Sequence, residues 1–581
     1  MLSIYDFFVL VFYFLFLVMT GVLARKFISN TSDYFRGGGK MLWWMVGSSA
    51  FLVQFSAWTF TGAAGEAYLN GPIVITIFFG NALGFLVNYL YFAPKFRQMR
   101  VITAMQAVKQ RFGVSGEQFF TWIQVPLNLF YAGVWLVGLS IFVSSIFDFP
   151  LEVIIICVGL TVVINSTLGG SWAVSSSDFI QMLILMMVAV VMTYYSLAEV
   201  GGVGLMIEKF PVDSLLGDNY NYPAIIIVWA VAMLMSQLFK TNHMLDASRY
   251  LNAKNSVQAR KAAMLSSVLF FVCPILWFIP PIVARILIPD MASIYPQLNN
   301  PAEAAYLAVA IKVLPHGMIG LLLSGMFAAT MSTMDSALNN SSGIFVKNIY
   351  IRLLKPNSSE AKQLAIAKIA TIFFGVMIVL IALFYSTFKS LALFDLMITI
   401  GSLIGLPMAI PLILGMVIKR TPEWSGWSTT VVGLVCSVAV RFYFDAQWFG
   451  HVFDLDMLSR DIRYWNITAI VLVNLTIPVL WFVATIKFYK EPVGERQVEL
   501  QTFWKNQSTP IENRDGGNDK QQYNLIGGLA LAYGVFVFCL CFIPNPIQGR
   551  VVFALCGLIL TIFGYVLYRN GSDSSKPKMK K

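Results

Sequence analysis

Apolar runs long enough to cross a bilayer recur along this chain from one end to the other. Fifteen can be counted, at about 5–24, 42–64, 72–95, 119–147, 151–171, 178–199, 224–240, 263–287, 316–346, 364–386, 391–419, 425–443, 465–488, 523–543 and 549–568. Only 12% of the residues are charged and 58% are hydrophobic, whereas soluble domains carry roughly 25% charged residues. The strict alternation of outer-membrane strands is absent, so the expected fold is an all-α integral membrane protein of about 15 transmembrane helices. No connecting loop is long enough for a soluble catalytic domain. The longest, about 489–522, is polar, carries Gly516-Gly517 and mixed charge, and reads as a flexible connector.

The net charge of +11 would suit nucleic acid or anionic lipid, but its distribution points elsewhere. With the N-terminus outside, the basic residues gather in alternate loops. They lie at Arg25 to Lys40, Lys95 to Arg111, Lys240 to Lys261, Lys347 to Lys362, Lys419 and Arg420, within 486–522, and after Leu567. The opposite loops hold acids such as Glu66, Asp148, Glu152, Glu208, Asp213, Asp218, Asp454 and Asp456. This is a positive-inside pattern in a cell membrane, with the C-terminus cytoplasmic and no nucleic-acid partner required. The first 24 residues lack a basic n-region and read as a first span rather than a cleaved signal. All six cysteines fall in apolar runs, which argues against a disulfide framework.

Spans two to six form a block of five, and spans seven to eleven a second. Five is odd, so the second block inserts upside down relative to the first, the inverted-repeat plan of secondary transporters. The expected division is 1–41 for an extra helix and first loop, 42–199 for the first repeat, 224–419 for the second, and 420–581 for additional C-terminal helices with a polar loop and a short basic tail. Span two carries Gln54-Phe-Ser-Ala-Trp-Thr-Phe-Thr-Gly62 at mid-membrane depth, which fits an unwound stretch whose carbonyls bind an ion. Span seven, with Trp229, Ser236 and Gln237, gives a weaker break signal.

Span nine holds the densest polar cluster, within Gly325 to Ser342. Ser332, Asp335 and Ser336 fall on one helical face, flanked by Thr333, and Ala329 one turn earlier keeps that face narrow. A carboxylate in a membrane helix costs roughly 2.5–3.5 kcal/mol and calls for a partner. Hydroxyl and carboxylate oxygens without nitrogen or sulfur suit a hard cation such as Na⁺. The alternative for any single serine here is close helix packing with a bond back to the i−4 carbonyl.

Several segments resemble the sodium/solute symporter family, from about residue 5 to residue 440 and in the family's order. Ala328 to Asn339, followed by Gly343 to Tyr350, resembles its sodium-binding eighth core helix. Gly169 to Gln181 resembles the start of the fifth. Ser32 to Lys40 with Trp43 to Gly47 resembles the lead into the first. Arg249 to Asn255 and Ala284 to Asp290 resemble the stretches flanking the seventh. The resemblance implies a LeuT-type five-plus-five inverted repeat and sodium-driven uptake by alternating access. It implies a sodium site formed by the Ser332 and Thr333 side chains and the carbonyls of Ala329, Leu52 and Phe55. It also implies a second sodium site at Asp178, Ser332, Asp335 and Ser336. The family has a hydroxyl where this chain has Asp335. Either the second site is stronger here, or Asp335 takes a proton or meets a substrate cation. Asp178 alone also fits as a helix N-terminal charge.

By the family's layout, solute would sit among Gln54, Trp58, Thr59, Asn81, Gln124, Asn128, Gln237, Thr399 and Ser402. Each of these alone also fits as an interhelical hydrogen bond. No Arg or Lys falls centrally in those helices, so no carboxylate clamp is expected. Ile398 stands where sodium/glucose relatives have a glutamine. Trp58-Thr59 stands where the bacterial galactose member has an acid-amide pair. The expected cargo is a small neutral or zwitterionic solute such as a sugar, polyol or amino-acid-like compound, with sodium as coupling ion, the bilayer as surroundings and no obligate protein partner. A membrane enzyme would need clustered His, Cys or acids, but His243, His316 and His451 are far apart in sequence. The tail after the last span, Tyr568 to Lys581, is too short for the signalling module of a solute sensor.

Overall fold

The computed structural model describes residues 3–27, 30–147, 149–213, 221–296, 298–388, 392–511 and 519–573. Residues 512–518 of the polar loop, with Gly516-Gly517, the acids Asp148 and Asp218, and the basic tail from 574 lie outside the described residues. The described chain is helical, with a single bridge between Met41 and Ala253. The principal helices are α1 Ile4–Ala24, α2 Trp43–Leu52, α3 Ala57–Phe60, α4 Gly62–Asn70, α5 Ile75–Val87, α6 Ala104–Phe147, α7 Leu151–Val200, α8 Asn221–Lys240 and α9 Ser256–Leu287. They continue as α10 Met318–Ile344, α11 Glu360–Ser386, α12 Leu393–Ile400, α13 Leu406–Val417, α14 Ser425–Tyr443, α15 Ser459–Ala484, α16 Asp519–Cys539 and α17 Ile547–Asp573.

Among the described residues, 13 helices are long and apolar enough to cross a membrane, against the fifteen runs counted from sequence. Two local causes account for the difference. The run at 42–64 is broken into α2, α3 and α4, and only its C-terminal part continues into a crossing helix. The runs at 151–171 and 178–199 both fall inside α7, where Leu151–Ile164 is a shorter apolar helix and Val174–Val200 a full crossing. Span seven shows no mid-helix break: α8 runs unbroken to Lys240.

Helix α10 is the centre of the molecule. It packs against α7, α6, α11 and α1, and nearly all its residues are buried. Small residues allow this close approach. A Cβ on Gly320 would come within 2.8 Å of the Asp6 backbone in α1, and Ser324 turns its hydroxyl back to Gly320 O at 2.8 Å. Helices α16 and α17 form a peripheral hairpin, closed by backbone contact between Gly527, Gly534 and Gly564 and the facing helix.

The polar loop read as a flexible connector contains a helix, Glu495–Ser508. Its anchor is Arg496. Gly113 adopts φ 71° inside α6, which takes the helix out of its regular hydrogen-bond ladder. Arg496 donates to the exposed carbonyls of Gln110 and Arg111, both at 2.9 Å, and pairs with Glu423 and Glu499. Phe503 is buried beneath it.

Candidate functional site

The broken second span is where the site begins. Neither glycine nor proline interrupts Val53-Gln54-Phe55-Ser56; tertiary hydrogen bonds hold the break open. Ser56 caps α3 through its side chain, which accepts from Trp58 N at 3.3 Å. The Ala57 N–H, left without a helical partner, donates to Thr330 Oγ1 of α10 at 3.0 Å. On the N-terminal side of the break, the Phe55 N–H donates to Leu52 O at 2.9 Å.

Thr333 lies opposite that break. Its Oγ1 is 2.8 Å from Ala329 O, 2.9 Å from Phe55 O and 3.3 Å from Leu52 O. One hydroxyl carries one hydrogen, so it cannot satisfy three carbonyls at once. The adjacent Ser332 Oγ is buried with no hydrogen-bond partner. The three carbonyl oxygens and the Thr333 hydroxyl, with the Ser332 hydroxyl beside them, form an oxygen cluster that suits a small hard cation.

The residues of the second set diverge. Asp178 is fully buried on α7. It faces the hydroxyls of Ser332 and Ser49, with the Arg249 guanidinium as the cation acting on it. Asp335 turns to Ser166 of α7, whose hydroxyl donates to it. Ser336 lines the central cavity. Tyr13 of α1 lies in the field of both acids and accepts from Gln181 Nε2 at 3.3 Å.

A central cavity of ≈ 290 Å³ begins directly beside Thr333. Gln54, Trp58, Asn81, Gln124, Asn128 and Gln237 all line it. Thr59, Thr399 and Ser402 do not. Thr59 and Ser402 are buried between helices with unpartnered hydroxyls, and Thr399 sits on a half-buried face one residue from the lining Ile398. Gln124 donates to Asn128 Oδ1 at 2.7 Å, and Asn128 donates to Ser341 at 3.1 Å, so these two amides are pre-oriented. The cavity also takes in residues that the sequence did not single out, including Ser49, Tyr131, Trp135 and Lys240.

One end of the cavity is sealed. The Trp58 Nε1 donates to Leu393 O at 3.1 Å, and its ring stacks on Phe394 at 5.9 Å. Above that roof, Arg463 of α15 donates to Asp395 at 2.8 Å and to Glu66 at 2.8 Å; Tyr464 and Asn70 also bond Glu66. The other end extends to Asp246, Arg249 and Asn252, in the basic loop after α8.

The seal includes a titratable lock outside the spans. Glu303 accepts the Leu393 N–H at 2.7 Å, and burial pushes its carboxyl up to about 7 from an ordinary 4.5. A carboxyl raised in the folded state holds its proton while the unfolded chain has lost it. Stability therefore falls as pH rises from about 4.5 to about 7. Glu303→Gln keeps the acceptor oxygen and removes the titration. The wild type should lose more thermal stability between pH 5 and pH 8 than the variant; equal slopes would show that Glu303 does not titrate there.

The profile of the sodium:solute symporter family matches residues 34–433. The chain belongs to that family. Relatives of the symporter include sodium/myo-inositol cotransporter 2 of Sus scrofa, 25% identical over 87% of this chain and 80% of its own length. A sodium/sialic acid symporter of Proteus mirabilis is also 25% identical, over 74% of this chain and 88% of its own length. A solved structure of a Na⁺-coupled sialic acid symporter in a substrate-bound, outward-open state superposes with a TM-score of 0.67 at 20% identity, covering 84% of this chain and 98% of that one. The symporter thus has the LeuT-type fold and is a multi-pass, sodium-coupled membrane transport protein.

Proposed function

We propose that the symporter takes up a small polar organic solute through the central cavity, driven by sodium held at Leu52, Phe55, Ala329, Ser332 and Thr333. The observation that carries this reading is the three carbonyl oxygens gathered around the single Thr333 hydroxyl, beside an unpartnered Ser332. A bound Na⁺ would tie α2 to α10 across the helix break and so stabilise one shape of the solute cavity, which shares Gln54 and Thr333 with that break. Solute and ion would then favour each other's binding. A second sodium at Asp178 and Ser332 is supported by the buried Asp178 carboxylate facing the Ser332 and Ser49 hydroxyls; Asp335 and Ser336 would border it. The amide-rich lining supports a cargo with several hydroxyl or amide groups, as does the presence of myo-inositol, glucose and sialic acid cotransporters among the relatives.

Repeats at 42–199 and 224–419, an external N-terminus and a cytoplasmic C-terminus follow from the charge pattern and the family's plan. In that orientation the Glu66–Arg463–Asp395 seal faces outward and the cavity faces the cytoplasm. The test is uptake into proteoliposomes under imposed sodium or proton gradients, with reversal potentials read for wild type and Asp178→Asn. Sodium alone should drive uptake, and Asp178→Asn should lower the number of sodium ions moved per solute. Uptake driven by protons without sodium would overturn the reading, and an unchanged ratio would reduce the ion site to the cluster at Thr333.

A further inference from the structure

Lys240 is the last residue of α8 and by sequence belongs with the basic loop that follows. A lysine in that role extends to the lipid headgroups. This one instead lines the central cavity. Its ammonium takes part in none of the ion pairs or side-chain hydrogen bonds among the described residues. The other cation of the cavity, Arg249, donates to Ala50 O at 3.2 Å and acts on Asp178. The acid on the wall, Asp246, acts on His243 and Tyr250, while no carboxylate acts on Lys240.

The surroundings of the ammonium have the shape of a small anion cradle. Between α12 and α13, Gly401–Gly405 forms a π-helical turn, a distortion frequent at functional sites. A Cβ on Gly401 would stand 2.8 Å from Lys240 Nζ and 3.3 Å from Tyr131 Oη; one on Gly405 would stand 3.0 Å from the same hydroxyl. The two donors therefore lie within about 6 Å of each other, over a floor that only glycine leaves open. The two oxygens of one carboxylate can bridge an ammonium and a hydroxyl at such a spacing, at about 2.7–2.9 Å and 2.5–2.7 Å. Gln237, one helical turn before Lys240, lines the same cavity beside the amides of Gln124 and Asn128. An ammonium withdrawn from bulk water without a partner is costly, and the cost is removed when an anion arrives.

We propose that Lys240, with Tyr131, binds a carboxylate of the transported solute, so that the cargo is a small carboxylate bearing further hydroxyl or amide groups rather than a neutral sugar or polyol. The proposal rests on the reading of the central cavity as the solute site. A single ammonium matches a monoanion; the amides serve the neutral remainder. Sodium carried on the same cycle offsets the charge of such a cargo.

The test uses the full-length protein in nanodiscs with sodium and matched probe pairs: D-glucuronate and D-glucose, D-gluconate and sorbitol, N-acetylneuraminate and its methyl ester. Binding is read by thermal shift and titration calorimetry, and uptake in proteoliposomes. At least one acid should bind the wild type 10-fold or more tightly than its neutral partner. Lys240→Gln should weaken that acid by roughly 10- to 100-fold and abolish the preference, and Lys240→Arg should retain part of it. Sodium-dependent stabilisation of Lys240→Gln shows that the variant is folded. Binding of neutral partners as tightly as the acids, binding of the acid to Lys240→Gln at wild-type strength, or binding of no acid in the panel would each overturn the proposal. Sodium-driven uptake of neutral probes would overturn it while leaving the transport reading intact; uptake of no probe with any sodium dependence would remove the transport reading itself.

Discussion

Replacing Thr333 with alanine should raise the sodium concentration for half-maximal uptake by roughly 10- to 100-fold, the worth of one or two charge-assisted contacts. The substitution removes the side-chain oxygen that touches the Ala329, Phe55 and Leu52 carbonyls together. Thr333→Ser keeps that oxygen and should stay near wild type. Because binding is reciprocal, solute affinity at fixed sodium should fall in Thr333→Ala and recover as sodium is raised. A purely structural role for the hydroxyl, pinning the helix break, makes a different forecast. It lowers thermal stability equally in sodium and in choline, whereas loss of an ion ligand shrinks the difference between the two. Thermal melts in both salts, paired with sodium titrations of solute binding, separate these. An unaltered sodium dependence in Thr333→Ala would remove the ion assignment from this cluster.

What could be read from the sequence follows from which features leave a local trace. The polar cluster of α10 does, because hydroxyls and a carboxylate at helical spacing are conspicuous in an apolar run. The carbonyls of Leu52 and Phe55 do not, since any residue carries a carbonyl; the family resemblance named them. The break at 53–56 has only a diffuse local signature. Its position is set by Thr330 and Thr333, more than 270 residues away in sequence. Thr59, Thr399 and Ser402 follow from the family's layout of helices, but a layout of helices does not fix the rotation of each side chain, and these three do not line the cavity. Lys240 was hidden for the opposite reason. A lysine at the end of a span looks like a topology signal, and only the packing of α8 against the Gly401–Gly405 turn shows that it points inward. The helix at Glu495–Ser508 is mostly polar, and what orders it is a carbonyl cluster exposed by Gly113 in another part of the chain.

Removing the charge of Arg463 should have the second large effect, on which side of the symporter is open. Arg463 holds two carboxylates together, Glu66 at the end of the broken span and Asp395 at the start of α12. Glu66 is almost fully buried, and Arg463 keeps about a quarter of its surface in solvent. Cutting one partner from a buried pair costs about 3–5 kcal/mol; partial solvent access lowers this to roughly 1–3 kcal/mol, a 5- to 150-fold change in an equilibrium. Arg463→Gln leaves two acids facing each other beneath a roof that closes only when Trp58 reaches Leu393 and Phe394. The sealed form should become the minor one. Met397→Cys, in α12 on the cavity wall, reports this: an impermeant thiol reagent added at the sealed face should label it several-fold faster in the Arg463→Gln background. Uptake should fall in parallel, because a transporter that cannot close one side cannot complete its cycle. Adding Glu66→Gln removes one of the two stranded carboxylates and should bring labelling part of the way back, the non-additivity expected of directly coupled residues. Arg463 lies beyond residue 433, where the family match ends, so the helices outside the shared core would then set the balance between the two open states. Unchanged labelling in Arg463→Gln would instead make the triad a passive surface contact, and closure would rest on Trp58 and Glu303 alone.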